Sequence, residues 1–423
     1  MSTGSALTII VPLVAGKQQA LGSLLTDVGE HIQTNSLIPF ARLTLTHFLR
    51  WVLLPPAAEG GTWQLAFECN HDGSPEQLLE ELLTQAPLGL HRIYQHCVGY
   101  PLSTLELPRG DTDTRAALRY LLAHRLPYSA FYVGSPGLSV RQIRGQEQLR
   151  QHVERSLDRQ LASAHGSSKP SALALCRRAL AELRTDPALS SLLDLKDDGP
   201  AIHPARLVAG VLAAVLASPT LLAGLAAIGV KELFDKQSPS LAVPDEARAL
   251  MAREDLQIQN QLTHIVPLKP GALRAASTRV VLGAIDFLAH ALFTQGQLGG
   301  ISSIHFARWV IIDDGARLLF FSNYDGSWES YLGDFIDKAA VGLTAVWSNT
   351  ELFPDTHLLV LKGARDEERF KAWTRAHQVT TQLWYSAYPE LTVRNIVENR
   401  KLCSELQRGF STEAAAAAWL QHF

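Results

Sequence analysis

The chain contains an internal duplication, and this repeat constrains the fold more than any single motif does. The segment that begins at His305, HFARWVIIDDGARLLFFSNYDGS, has a weaker counterpart that begins at His47, HFLRWVLL. From residue 72 to residue 143, the matching positions of the second copy lie 253 residues further on, without a gap. Earlier matches have offsets of 255 and 258, and the changes fall in loops, where chain length varies freely. The sequence therefore predicts two structural units of one type.

Each copy has the pattern of a strand, a helix, two strands, a second helix and a fourth strand. The predicted strands are 7–13, 43–54, 63–70 and 128–133 in the first copy, and 262–268, 304–312, 318–323 and 381–388 in the second. The first helices are predicted over 16–32 and 271–293. A short helix is expected to close each copy, from about Arg141 and from about Arg394.

Local signals support this order of elements. Asp313-Asp314-Gly315 indicates a hairpin turn between the second and third strands of the second copy. Ser74 and Gln77 have the spacing of a capping box at the start of a helix. The apolar run LTIIVPL at 7–13 recurs as LTHIVPL at 262–268, so it is interpreted as a structural strand rather than a cleaved leader.

Composition indicates a globular protein and excludes several functional classes. Apolar residues make up 47% of the 423 residues, charged residues make up 19%, and the net charge of −3 gives no reason to expect nucleic-acid binding. The four cysteines form no CxxC pair, which favours a reducing compartment. Phosphate-loop, dinucleotide-binding and GxSxG signatures are absent. We expect a cytoplasmic protein, with peripheral or anchored membrane association as an open alternative.

A helical insert separates the two copies, over 161–257. Within it, residues 207–230 carry no charge, and as one helix they would just cross a hydrocarbon core of about 30 Å. Ser218-Pro219 is predicted to divide this run into two halves that are each too short to span. Three alternatives stay open: a buried helical hairpin, an interfacial membrane anchor and a spanning helix.

The order β-α-β-β-α-β is that of the ferredoxin-like unit. Two such units in one chain resemble the dimeric α+β barrel superfamily in a fused form, over about residues 5–160 and 258–410. The segments HFARWVI, SNYDGSWESYLGDFID and WYSAYPELTVRNI are also similar to those of a bacterial family of fused barrels with peroxidase and lipid-oxidation associations. The expected fold is α+β: repeat 1–160, insert 161–257 and repeat 258–423, with the two repeats forming a single-chain dimeric α+β barrel.

The candidate catalytic residues lie on the second and third strands of the second copy. His305 and Arg308 are on the second strand, where alternation places His305 on one face with Ala307 and Trp309, and Arg308 on the other. Asn323 and Asp325 end the third strand. For His305 and Arg308, a structural role that braces the sheet competes with a role in which His305 transfers protons. For Asp325, a structural role at the corner before the helix competes with a role in an acid–base pair with Asn323. Because the first copy repeats these letters, they fit a structural frame as well as a catalytic site.

Residues that differ between the copies point to an asymmetric ligand site in the second copy. His264 replaces Ile9, Trp384 replaces Phe131 and Tyr388 replaces Ser135. The resemblance implies haem as a candidate cofactor, with His264 or His305 as the iron ligand and Arg394 as a polar partner. Haem ligands in these relatives usually sit on a helix, which makes His290 the helical candidate. No other metal site is predicted.

The resemblance also implies the function. The leading expectation is a peroxidase-like oxidoreductase that acts on a lipophilic or peroxide-type substrate near a membrane, with residues 207–230 as the membrane contact. One alternative is a lipid-binding or membrane-associated protein without catalytic activity. Another is a cofactor-free isomerase or cyclase. The sequence does not name the lipophilic small molecule.

Overall fold

In a computed structural model, the chain folds into a mixed α+β protein that is 53% helical and 20% strand. The structure describes residues 3–101, 111–163, 170–195, 199, 204–235, 241, 245, 250–251, 254–292 and 297–423. Parts of the predicted insert, including most of 236–249, lie outside the described residues.

The first repeat comprises β1 (Ser5–Pro12), α1 (Gln18–Glu30), β2 (Thr46–Leu54), β3 (Gln64–His71), α2 (Pro75–Gln85), α3 (Pro87–Tyr94), α4 (Asp111–Ala123), β4 (Arg125–Leu126), β5 (Ala130–Val133) and α5 (Val140–Ala162). The insert contains α6 (Ala172–Thr185), α7 (Pro187–Leu193) and α8 (Pro204–Glu232). The second repeat comprises β6 (Gln259–Pro267), α9 (Ala272–Ala291), β7 (Ile304–Ile312), β8 (Arg317–Asp325), α10 (Trp328–Trp347), β9 (Thr356–His357), β10 (Leu361–Lys362), α11 (Glu367–Ala376), β11 (Leu383–Ser386), α12 (Val393–Arg408) and α13 (Glu413–Leu420).

Helix starts follow the capping signals of the sequence. The Ser74–Gln77 capping box opens α2, as predicted, and the equivalent Ser139–Gln142 box opens α5. The closing helices α5 and α12 are 23 and 16 residues long, so the prediction of a short closing helix was wrong. They extend because α5 and α12 pack against each other, and buried leucines such as Leu149 and Leu406 contribute to one helical core with α6, α7 and α13.

The strands form two main antiparallel sheets in which the repeats exchange their fourth strands. The first sheet has the order β11-β2-β3-β1-β4 and the second has the order β5-β7-β8-β6. Thus β11 of the second repeat pairs with β2 of the first, with Tyr385 opposite Leu49. Likewise β5 of the first repeat pairs with β7 of the second, with Tyr132 opposite Ala307. Among the described residues, the strands of these two sheets remain separate and form no closed barrel.

The two sheets pack face to face. A buried cluster joins them, and Val52 and Ala66 of the first sheet contribute to it together with Val310 and Phe321 of the second. Each sheet buries its other face under helices of the fold. Each repeat therefore supplies one strand to the sheet of the other and one side of the shared core.

Helix α8 differs from the prediction at Pro219. The chain continues through Pro219 as one helix of 29 residues, so neither a break nor a buried hairpin forms. Proline has no N–H and leaves the carbonyl of Val215 without its helical partner. The Ser218 hydroxyl donates to that carbonyl at 2.8 Å, which removes this part of the cost of proline inside the helix.

Candidate functional site

A β-bulge sets the direction of the predicted catalytic histidine. The register of β7 against β8 shifts between Ile304 and Phe306, and His305 is the extra residue. A bulge re-aims the side chain at its position. The ring of His305 therefore packs against Phe48 of the first repeat, with the ring centroids 5.1 Å apart. The prediction that His305 and Trp309 lie on the same face of the sheet was wrong, because strict alternation along the strand does not allow for the bulge.

His305 and Asp325, both predicted as catalytic, form a hydrogen-bonded pair. His305 Nε2 lies 2.7 Å from Asp325 Oδ1. The other carboxylate oxygen accepts a hydrogen bond from the backbone N–H of Val393 at 2.7 Å. Val393 is the first residue of α12, and the positive end of a helix dipole favours a carboxylate there. Asp325 thus connects β8 to the helix that follows β11 of the opposite sheet.

The first repeat contains a second pair of the same kind. His47 Nε2 lies 3.0 Å from Asp72 Oδ1, and Asp72 Oδ2 accepts from the backbone N–H of Val140 at 2.8 Å. His47 also has a partner at its other nitrogen, because Nδ1 lies 2.9 Å from the hydroxyl of Tyr388. At the matching position Ser135 replaces Tyr388, and its buried Oγ has no hydrogen-bond partner in the described structure. The two halves are therefore similar in frame and different at this residue.

Aromatic rings fill the space between the two His–Asp pairs. Phe306 packs against His47 with centroids 5.3 Å apart, and Tyr388 lies 6.0 Å from His305 and 5.9 Å from His47. Both histidines are at most 2% exposed. Burial raises the pKa of Tyr388 well above its usual value, so its hydroxyl is neutral at physiological pH. The cluster is a closed hydrogen-bonded and aromatic contact between the repeats.

The predicted Arg308 belongs to a buried ion network that crosses between the sheets. Glu68 accepts from Arg50 Nε at 2.8 Å through one oxygen, and its other oxygen pairs with Arg308 Nη2 at 2.8 Å. Arg308 also donates to Asn70 Oδ1, and Arg50 donates to Asn323 Oδ1, both at 2.6 Å. All these side chains are at most 1% exposed. Burial lowers the pKa of both arginines, while the charge of Glu68 opposes that shift.

Asn323 and Trp384 meet at the edge of this network. The indole N–H of Trp384 donates to Asn323 Oδ1 at 2.8 Å, and the ring of Trp384 stacks on Phe48. Six of the predicted residues are thereby connected through the inter-repeat contact. They are His305, Arg308, Asp325, Asn323, Trp384 and Tyr388.

Three predicted residues lie outside that contact. His264 is buried beside Trp347 and Trp373, and neither ring nitrogen has a hydrogen bond to a described residue. His290 lies on α9, where its ring is half exposed and its Nδ1 bonds the carbonyl of Asp286. Arg394 is exposed on α12 without a hydrogen bond or ion pair to another described residue.

Haem does not fit His264 or His305, two of the three histidines that were predicted to bind it. The cavity beside His264 has a volume of about 20 Å³, which is room for about one water molecule. The Nε2 of His305 is engaged with Asp325, and aromatic rings cover the imidazole. Within the described part of the chain, no three His, Cys, Asp or Glu side chains are grouped as a metal ion would require. We therefore derive no chemical step through haem.

Glu68, which pairs with both Arg50 and Arg308, was not predicted as a site residue from the sequence. Its counterpart in the second copy is Phe321, whose ring lies 5.1 Å from the guanidinium of Arg50. The sequence does carry a signal for this residue: a carboxylate stands within the strand QLAFECNH, at a position where the second copy has a phenylalanine. Arg50 and Asp72 were recognisable only as the first-copy partners of Arg308 and Asp325.

A second candidate site is the outer face of α8. Its exposed apolar side chains have helical spacing along one side and are 57–81% exposed: Val208, Leu212, Val215, Leu216 and Leu222. The opposite side rests on the fold, where Gly210 meets Phe287 of α9 and Gly229 meets Leu358. The window Val215–Glu232 is long and apolar enough to cross a membrane, with a mean hydropathy of 1.3, and 6% of it is buried.

No protein-family model, curated protein or solved structure matches this chain.

Proposed function

We propose that this protein associates with the surface of a lipid bilayer through the outer face of α8. The proposal rests on the uncharged apolar stripe of α8, whose side chains are exposed to solvent in the described structure. Moving a leucine side chain from water into an apolar phase is favourable by about 1.5–3 kcal/mol. An exposed apolar stripe of this length usually indicates a surface that contacts a membrane or another protein.

The attachment of α8 to the fold favours an interfacial position over a spanning one. At the C-terminal end, Glu232 accepts hydrogen bonds from the Thr356 hydroxyl and the Leu359 backbone N–H. Just beyond the helix, Asp235 forms ion pairs with Lys269 and Arg274 of the second repeat, both at 2.7 Å. One side of α8 is thus held by polar contacts and packing, and only the other side is available to acyl chains.

Flotation of the full-length protein with vesicles tests this proposal. We expect the protein to float with phosphatidylcholine vesicles. We also expect little change with anionic lipid or salt, because the stripe is uncharged and the net charge is only −3. Replacement of Leu212, Leu216 and Leu222 by serine should lower the vesicle-bound fraction at least tenfold, since about 1.5 kcal/mol or more is lost at each leucine.

A matched control replaces three exposed apolar residues outside α8, namely Leu161, Leu256 and Val397, by serine. This variant should bind vesicles as the unchanged protein does. The proposal fails if the unchanged protein stays unbound, or if the α8 variant floats as well as the control. If the α8 substitutions instead convert a dimer to a monomer, the stripe is a contact between copies of the chain.

The repeat architecture supports a second, separate proposal about ancestry. We propose that the chain is a fused relative of the dimeric α+β barrel superfamily. Two β-α-β-β-α-β units with exchanged fourth strands and facing sheets support this. A solved structure of the chain with superfamily-like strand order and pairing would agree with the proposal, and a different strand order would contradict it.

The expected peroxidase-like oxidoreductase activity stays a prediction, as does the isomerase or cyclase alternative. An absorption spectrum of the purified protein is the direct test of the haem component. A Soret band that disappears on replacement of one histidine would support haem binding despite the poor fit. A colourless protein that gains no such band when haem is added would remove it.

A further inference from the structure

An apolar groove lies between α9 and α10, and α9 is the helix that packs against α8. Its volume is about 600 Å³, within the usual range of about 300–1,000 Å³ for small-molecule sites. Ile285 and Leu288 line it from α9, and Ile336 and Val346 line it from α10. Trp309 of β7 contributes from the sheet side, so the groove reaches the buried core of the second repeat.

The rim of the groove carries charges of both signs. Arg365 lines the groove, is exposed and has no hydrogen bond or ion pair with another described residue. Asp337 also lines it and forms no ion pair within the described part of the chain. Lys338 is neutralised by Asp334 at 2.7 Å. A cation and an anion beside an apolar groove match an amphiphile whose headgroup carries a phosphate and an ammonium.

The groove also lies beside the helix on which α8 packs. Phe287 of α9 contacts α8, whereas Ile285 and Leu288 on the neighbouring side of the same helix line the groove. The contact with α8 and the groove are therefore on neighbouring sides of α9.

We propose that this groove binds a single acyl chain of a zwitterionic phospholipid, with the phosphate toward Arg365 and the ammonium toward Asp337. The proposal rests on the membrane function inferred above and names the ligand that such a protein would take up. A lysophospholipid, which has one acyl chain and a complete headgroup, is the simplest ligand of this kind.

Gly342 offers a position where an added side chain is expected to occupy part of the groove. It lies on α10 and lines the groove, and a Cβ added there meets nothing within 4 Å. Gly333 lies on the same helix, has the same free space for a Cβ and does not line the groove. Gly342→Phe and Gly333→Phe therefore form a matched pair, and both replace a glycine that disfavours the helix interior.

The experiment measures binding of nitrobenzoxadiazole-labelled lysophosphatidylcholine to the full-length protein, below the micelle concentration and without vesicles. We expect saturable binding, a loss of at least tenfold in affinity for Gly342→Phe and less than a twofold change for Gly333→Phe. Arg365→Gln and Asp337→Asn should each weaken binding by about two- to fivefold, as expected for exposed charge pairs.

The outcomes separate this proposal from the membrane function. The serine variant of α8 should still bind the labelled lysolipid in solution, and Gly342→Phe should still float with vesicles. Absence of saturable binding, or equal binding by the two phenylalanine variants, overturns the groove proposal even if vesicle binding holds. Tighter binding of a fatty acid than of the lysolipid overturns the headgroup assignment.

Discussion

Arg308 of the second repeat and Glu68 of the first form an ion pair of 2.8 Å although each side chain is only 1% exposed. The same carboxylate holds Arg50 on its other side. The pair is therefore part of a charged contact that water does not reach, located where the two sheets face each other. Such a contact stabilises the arrangement only while every partner is present.

Replacing Glu68 by glutamine should destabilise the fold by about 3–5 kcal/mol, because two buried guanidinium groups lose their counter-charge. Urea unfolding followed by tryptophan fluorescence measures this change. Glu182→Gln is the control, since its ion pair with Arg159 is largely exposed and should contribute less than about 1 kcal/mol. Similar losses for the two variants would show that the buried network does not act as described.

Separate production of residues 1–257 and 258–423 should give two chains that are unstable alone. Each lacks the exchanged fourth strand of its sheet, and each leaves one buried arginine without its partners from the other repeat. Co-expression should restore a complex that copurifies through a tag on one chain. A monomeric 258–423 chain with cooperative unfolding would contradict the importance of the exchange.

His264 should make the fold sensitive to acid. Burial lowers its pKa well below 6.5, so the unfolded chain takes up the proton first as the pH falls. The contribution of neutral His264 is therefore present above about pH 6.5 and is lost progressively below it. His264→Ile, which installs the residue of the first copy, should unfold at a higher urea concentration at pH 7 and lose less stability between pH 7 and pH 5.

The gain at pH 7 should be about 1 kcal/mol, because both ring nitrogens of His264 lack hydrogen-bond partners in the part of the chain that the structure describes. His290→Gln serves as the comparison on an exposed helix surface, where we expect a change within about 0.5 kcal/mol. An unchanged acid sensitivity of His264→Ile would mean that other groups control unfolding by acid.

Tyr388→Phe should cost about 1–3 kcal/mol, because the buried Nδ1 of His47 loses the one hydrogen-bond partner that it has among the described residues. Urea unfolding measures the change, and Tyr128→Phe is the control because Tyr128 is 41% exposed. A near-neutral result for Tyr388→Phe would show that His47 finds another partner or a water molecule.

Much of the secondary structure was predictable because the duplication let each copy support the other. The strand 304–312 was confirmed to the residue, and the capping box at Ser74 and Gln77 was confirmed. The exchange of β5 and β11 was not predictable, since either copy could pair its fourth strand within its own sheet and leave the same local pattern. The same limit applies at Pro219, where one serine hydroxyl compensates for the missing N–H.

The site was predictable only in part. His305 and Asp325 were both selected as candidate residues, but their hydrogen bond to each other was not predicted. The direction of His305 depended on a bulge, which adds one residue without a clear sequence mark. His264 was selected because it differs from Ile9, but a difference between copies does not reveal whether a side chain faces a cavity or a packed core.

The arrangement around Glu68 also indicates what the covalent connection between the repeats permits. Two identical chains related by a two-fold axis would place either two carboxylates or none opposite their two arginines. Here one carboxylate serves both, and the equivalent position holds Phe321. An odd number of charges at this junction requires two halves of different sequence, which a single chain provides, and within one chain the association of the halves does not depend on protein concentration.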